Sequence, residues 1–99
     1  GFNSVYVQAK RWNWTVGRPE IQKFLGAVAG QGGNKGLFIT TSSFTREAIE
    51  YAKKQLQVKL ILVDGSMLTK LMIEYNLGVS VENTYEIKRI DMDYFDDEI

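Results

Sequence analysis

The chain reads as an α/β layered domain, a largely parallel central sheet flanked by helices, and three observations predict it. Strand-like and helix-like segments alternate in the order strand, helix, strand, helix, strand, helix, last strand. The connections between them are short, as strand–helix–strand units in one sheet require. Two segments, GLFITT at 36–41 and VKLILV at 58–63, are apolar runs of the length and β-branched content of buried strands.

The first element spans Ser4 to Lys10, where Val5, Val7 and Ala9 alternate with Tyr6, Gln8 and Lys10. This is the period of a half-buried strand, and it turns Gln8 and Lys10 the same way. A loop with Asn13 and Gly17 follows. Pro19 then stands where a first-turn proline belongs, with Glu20 beside it to complement the helix dipole. Ile21, Phe24, Leu25 and Val28 keep the i, i+3, i+4, i+7 spacing of a helix stripe until the glycines between Gly30 and Gly36 break it.

After the strand at 36–41, Ser43 or Thr45 caps the next helix, whose apolar face is Ala48, Ile49, Ala52 and Leu56. The strand at 58–63 ends in a turn at Asp64 and Gly65. Met67, Leu68, Leu71, Met72 and Tyr75 make a third helix stripe, stopped by Asn76 and Gly78, which tolerate a left-handed cap. Leu77 to Val81 and then Tyr85, Ile87 and Ile90 complete the pattern, the last three as an edge strand. The expected organisation is one domain over 1–99, lacking its natural beginning because the chain enters a strand almost directly after Gly1, with an acidic tail over about 91–99.

Composition narrows the chemistry. With neither cysteine nor histidine among 99 residues, there is no disulfide, thiolate nucleophile, Cys-ligated zinc or imidazole base. Catalysis is left to carboxylates, lysine and a hard metal. No apolar run approaches the ~18 residues of a membrane span and no signal peptide is apparent, so a soluble cytoplasmic protein is expected. The net charge of zero conceals two unlike halves: residues 1–59 hold nine Lys/Arg and three Asp/Glu, residues 60–99 three and nine. The basic half is the one able to attract phosphate.

Gln8 and Lys10, two apart on a strand, can converge an amide oxygen and an ammonium on one phosphate or one metal-bound water. Alone, so short a pattern equally describes a solvated strand face. TTSSFT, Thr40 to Thr45, offers hydroxyls and free N–H groups at a helix start, suited to an anion and equally to capping. Glu20 can reach toward Lys10 or serve only the helix dipole. Arg11, Trp12, Trp14 and Arg18 combine charge and stacking surface as a DNA-facing loop does, although tryptophans near a sheet edge are also ordinary packing. The terminal carboxylates lack the glycine and spacing of a calcium loop and read as a solvated tail.

The order and spacing of VYVQAKRW, VGRPEIQKFLGAVAG, KGLFITTSSFTREAIEYAKK and LILVDGSMLTKLMIEYNLGV, with a tail containing DYF, resemble the catalytic domain of the Mrr restriction endonuclease family. That family belongs to the PD-(D/E)xK nuclease superfamily and restricts modified DNA. The resemblance covers nearly the whole chain. It implies a restriction-endonuclease-like layered domain with a mixed, mostly parallel sheet, and an endodeoxyribonuclease that hydrolyses phosphodiester bonds with Mg²⁺ or Mn²⁺. Gln8 takes the (D/E) position, Lys10 is the catalytic lysine and Glu20 an auxiliary, with the metal on Gln8 and the Ala9 carbonyl. Arg11, Trp12, Arg18, Ser42 and Ser43 are the expected contacts to double-stranded, modified DNA, and cutting both strands suggests a homodimer. One departure stands out. The family's first acidic residue precedes this strand, and none of the seven residues before Gln8 is Asp or Glu, so the chain alone is expected to be inactive. A module that binds nucleic acid without cleaving it is the alternative.

Overall fold

The computed structural model describes residues 4–76 and 88–91. Its elements are β1 (Ser4–Lys10), α1 (Arg18–Gly30), β2 (Lys35–Thr40), α2 (Arg46–Lys53), β3 (Lys59–Val63), α3 (Gly65–Glu74) and β4 (Lys88–Asp91). The four strands form one sheet in the order β3-β2-β1-β4. β1, β2 and β3 run parallel, and β4 pairs antiparallel with β1, from Ser4 opposite Asp91 to Val7 opposite Lys88. The sheet is therefore mixed and mostly parallel, as expected.

The core lies between this sheet and α1 and α2. Ile21, Phe24 and Val28 are buried along α1 at their helical spacing. Phe24 meets Phe38 of β2 edge to face at 5.4 Å, and Phe38 meets Phe44 at 5.8 Å, a chain of favourable aromatic contacts. Gly36 makes room for it, since a Cβ there would lie 2.8 Å from the Phe24 ring. α2 presents only the small buried Ala48 and Ala52, and Thr45 caps it by accepting the Ala48 N–H at 3.1 Å. Of the two expected capping residues, Thr45 is the one used.

Four readings of the sequence need correcting. The run at 58–63, read as a buried strand, gives β3 at an edge of the sheet, with Ile61 46% exposed and only Val63 of its residues buried. Leu56 lies beyond the end of α2 and is 96% exposed, so it is not part of that helix's apolar face. The stripe on α3 is shallow: Leu68 and Met72 are half-buried, while Met67, Leu71 and Tyr75 are exposed. In β1 the helix-covered face is the one that looks more polar in sequence, because Tyr6 joins the main core cluster and Gln8 and Lys10 follow on its side. One face of a single strand thus passes from core to site.

Asn76 closes α3 in the left-handed region, φ 52°. Gly78, Leu77 to Val81, Tyr85, Ile87 and the tail beyond Asp91 lie outside the described residues. Among the described residues no helix is long and apolar enough to cross a membrane.

Candidate active site

The three parallel strands end at one edge of the sheet, and their turns are bonded to one another there. The Thr41 N–H donates to the Lys10 carbonyl at 3.3 Å, and the Gly65 N–H to the Ser42 carbonyl at 2.8 Å. Gly65 is required by this approach, since a Cβ would overlap the Thr41 carbonyl oxygen. Asp64, at the end of β3, is occupied as the cap of α3, accepting the Met67 N–H at 2.8 Å.

Lys10 is the centre of the cluster. Its Nζ lies 3.1 Å from Glu20 Oε2, each side chain only 22% exposed, and 3.9 Å from the centre of the Trp12 ring. Lys23 reaches the other carboxylate oxygen of Glu20 at 3.7 Å. The contact is built by the fold, because Glu20 sits in the first turn of α1, one residue before fully buried Ile21, which fixes where that turn lies. Gln8 is half-buried on the same face, and its amide has no side-chain partner among the described residues. Ala9 differs in backbone direction. Since the Lys10 carbonyl points to β2 and neighbouring carbonyls of a strand point opposite ways, the Ala9 carbonyl points to the other edge of β1. Pairing with β4 stops at Val7, so among the described residues that stretch of edge carries no partner strand.

The remaining expected residues divide. Arg11 is exposed beside the cluster. Trp12 is half-buried against the core, whereas Trp14, edge-on to it at 5.8 Å, is 65% exposed. Arg18 is engaged with α2, its guanidinium 5.1 Å from the Tyr51 ring in a crevice shared with Glu47 and Glu50. Ser42 and Ser43 are engaged within the turn: the Ser42 N–H donates to Thr40 Oγ1 at 3.2 Å, and the Ser43 carbonyl accepts the Val16 N–H at 2.7 Å. Thr41, one of the hydroxyls that the sequence offers for an anion or a cap, is used otherwise: it accepts the Trp12 N–H at 3.2 Å. A hydroxyl at a strand end gives no sign of which loop it will hold.

The model of a restriction endonuclease family, the Mrr catalytic type, matches residues 1–72. A type IV methyl-directed restriction enzyme of Escherichia coli strain K12, EcoKMrr, is 52% identical over 96 residues, 97% of this chain. The chain belongs to the Mrr restriction endonuclease family. It spans 31% of the length of that curated relative. No solved structure matches it.

In this Mrr-family domain the oxygen donors that the end of β1 and the first turn of α1 offer are hard ones, the Gln8 amide, the Ala9 carbonyl and the Glu20 carboxylate, the kinds that magnesium and manganese accept. They fit such an ion in kind and fall short in charge. Among the described residues no group of three or more Asp, Glu, His or Cys is placed to hold a metal, and Glu20 is already shared by two lysines. The antiparallel strand does not supply the missing acid. Asp91 pairs with Ser4, six residues from Lys10 along β1 and so about 20 Å away at ~3.3 Å per residue.

Proposed function

We propose that this chain is the catalytic domain of a metal-dependent Mrr-type endonuclease that hydrolyses phosphodiester bonds in modified double-stranded DNA. The observation that carries the reading is Lys10. Gln8-Ala9-Lys10, inside the span that the family model matches, ends at the open edge of the parallel sheet, with the ammonium held at the start of α1 rather than trailing in solvent. A fixed cation at a strand end stabilises the negative charge that develops on a phosphoryl group under attack. Gln8 and the Ala9 carbonyl are the groups to hold Mg²⁺ or Mn²⁺, which when bound activates water and neutralises phosphate charge. Glu20 orients Lys10 and is the one carboxylate of the described site. Arg11 and Trp14 face outward as the contacts to the duplex, and a pair of such domains would address both strands.

The test follows from the shortage of charge. The chain alone should leave plasmid DNA intact in Mg²⁺ or Mn²⁺. A chimaera in which it replaces the matching segment of the Escherichia coli relative should cut methylated plasmid in the presence of metal, and Lys10→Ala should abolish cutting. That substitution should leave circular dichroism unchanged, because Glu20 keeps Lys23 as a partner and a partly exposed ion pair is worth about 1 kcal/mol or less. Full activity in the Lys10→Ala chimaera would remove the lysine from the reaction. A chimaera that binds DNA in a salt-dependent way without cutting it would favour the non-catalytic module.

A further inference from the structure

Trp12 was expected to face DNA, and its surroundings leave little of it free to do so. The Lys10 ammonium covers one face of the ring at 3.9 Å, Trp14 meets it edge-on at 5.8 Å, and the side chain packs against the core cluster. The ring face that the ammonium covers is taken, and the half-buried side chain offers a base less surface than Trp14, which is 65% exposed. The backbone of Trp12 is also tied down, although the residue lies in a loop. Its backbone N–H donates to Thr41 Oγ1 at 3.2 Å, and that hydroxyl in turn donates to the Trp12 carbonyl at 3.5 Å, tying the residue to the end of β2.

We infer that Trp12 is a positioning residue for Lys10: its indole is the rigid wall that holds the ammonium in the site, and Trp14 is the aromatic that meets DNA. The reasoning is about what a flexible four-carbon side chain needs. Glu20 holds the ammonium from one side at 3.1 Å, but Glu20 is also paired with Lys23 across 3.7 Å and is the carboxylate a metal or a water would draw on. Whenever that carboxylate is drawn away, attraction to the face of the indole, which costs the ring no proton or ligand of its own, keeps the cation in place. A tryptophan is better at this than any other side chain, and it suits a partly desolvated corner. The assignment rests on the nuclease reading for its consequence and on geometry for its existence, so the two are tested apart.

The geometric arm uses this chain and proton–carbon NMR of its lysines. With Nζ 3.9 Å from the centre of the indole, protons on the adjoining Lys10 Cε should resonate upfield of those of the other lysines. Trp12→Leu should return them to the common position, Trp12→Phe should keep part of the displacement, and Trp14→Leu should leave it unchanged. The kinetic arm uses the chimaera with the Escherichia coli relative. Trp12→Leu should lower kcat about tenfold at unchanged KM, as expected when one stabilising contact to a catalytic cation is lost, with Trp12→Phe recovering much of it, while Trp14→Leu should raise KM. Lys10 resonances indifferent to Trp12→Leu, or a Trp12→Leu enzyme with raised KM and unchanged kcat, would overturn the proposal. If the chimaera cuts no DNA in any form, the nuclease reading fails, and the NMR arm still decides whether Trp12 holds Lys10.

Discussion

α1 and α3 carry apolar stripes of the same helical spacing, and the fold treats them differently. α1 buries Ile21, Phe24 and Val28 to 1% exposure or less against β2 and α2. α3 buries no residue, and Met67, Leu71, Ile73 and Tyr75 stay between 39% and 76% exposed. The spacing of a stripe decides that a helix forms and which of its sides is apolar. Whether that side is buried depends on the surface opposite, and for α3 the described residues provide mainly β2. The chemistry sits with the well-packed helix. Glu20 is anchored by the same turn of α1 that buries Ile21, and the loop that carries Trp12 is held by Thr41 at the end of β2, so the Lys10 contacts rest on the well-packed part of the molecule.

The strongest way to break this comparison is to truncate a core residue of α1 and its counterpart on α3. Phe24→Ala removes a ring that is 1% exposed and in contact with Phe38, and should cost about 3–5 kcal/mol by urea denaturation. Leu71→Ala removes a side chain already 39% exposed, and should cost about 1 kcal/mol or less. Equal losses at the two sites would mean that α3 has a buried partner and that the asymmetry is false.

Helix caps sharpen the comparison further. Thr45 and Asp64 each accept a backbone N–H in the first turn of their helix, at 3.1 and 2.8 Å, and replacing either with Ala should cost about 1 kcal/mol of helix stability. The consequences should differ in extent. Loss of Thr45 should lower the global midpoint, because α2 closes the core through Ala48 and Ala52. Loss of Asp64 should act locally, read by hydrogen exchange as faster amide exchange in α3 with little change in β1 and β2. Faster exchange throughout the sheet in Asp64→Ala would show that α3 is part of the cooperative core.

What sequence could and could not disclose follows the same division. β1, α1 and β2 were legible because Pro19, the alternation from Val5 to Lys10 and the spacing of Ile21, Phe24 and Val28 are local signals of element type. The strand-end placement of Gln8 and Lys10 came from those signals, and the roles of both from the Mrr resemblance. Leu56 misled because a period of four continues past Lys53, where α2 has already ended. The different exposure of Trp12 and Trp14, and the engagement of Arg18 with Tyr51, could not be read at all. Residues in one loop share composition and sequence distance, whereas their placement depends on long-range partners: Thr41 holds the Trp12 backbone, and the Tyr51 ring meets the Arg18 guanidinium.

The smallest expected effect is also the most searching test of the contrast. Ile73 is 76% exposed near the end of α3, a position where a β-branched apolar residue neither packs among the described residues nor favours the helix. Serine has a similar helix propensity and removes the apolar surface, so Ile73→Ser should change stability by about 0.5 kcal/mol or less. The measurement is the urea midpoint, with the slope checked to show that the unfolding transition keeps its cooperativity. A near-zero result leaves α3 as a helix held by its Asp64 cap and its contact with β2. A loss of about 2 kcal/mol, the size expected for a buried aliphatic side chain, would instead require that Ile73 be covered in the folded protein, and α3 would then belong with α1 as a packed element.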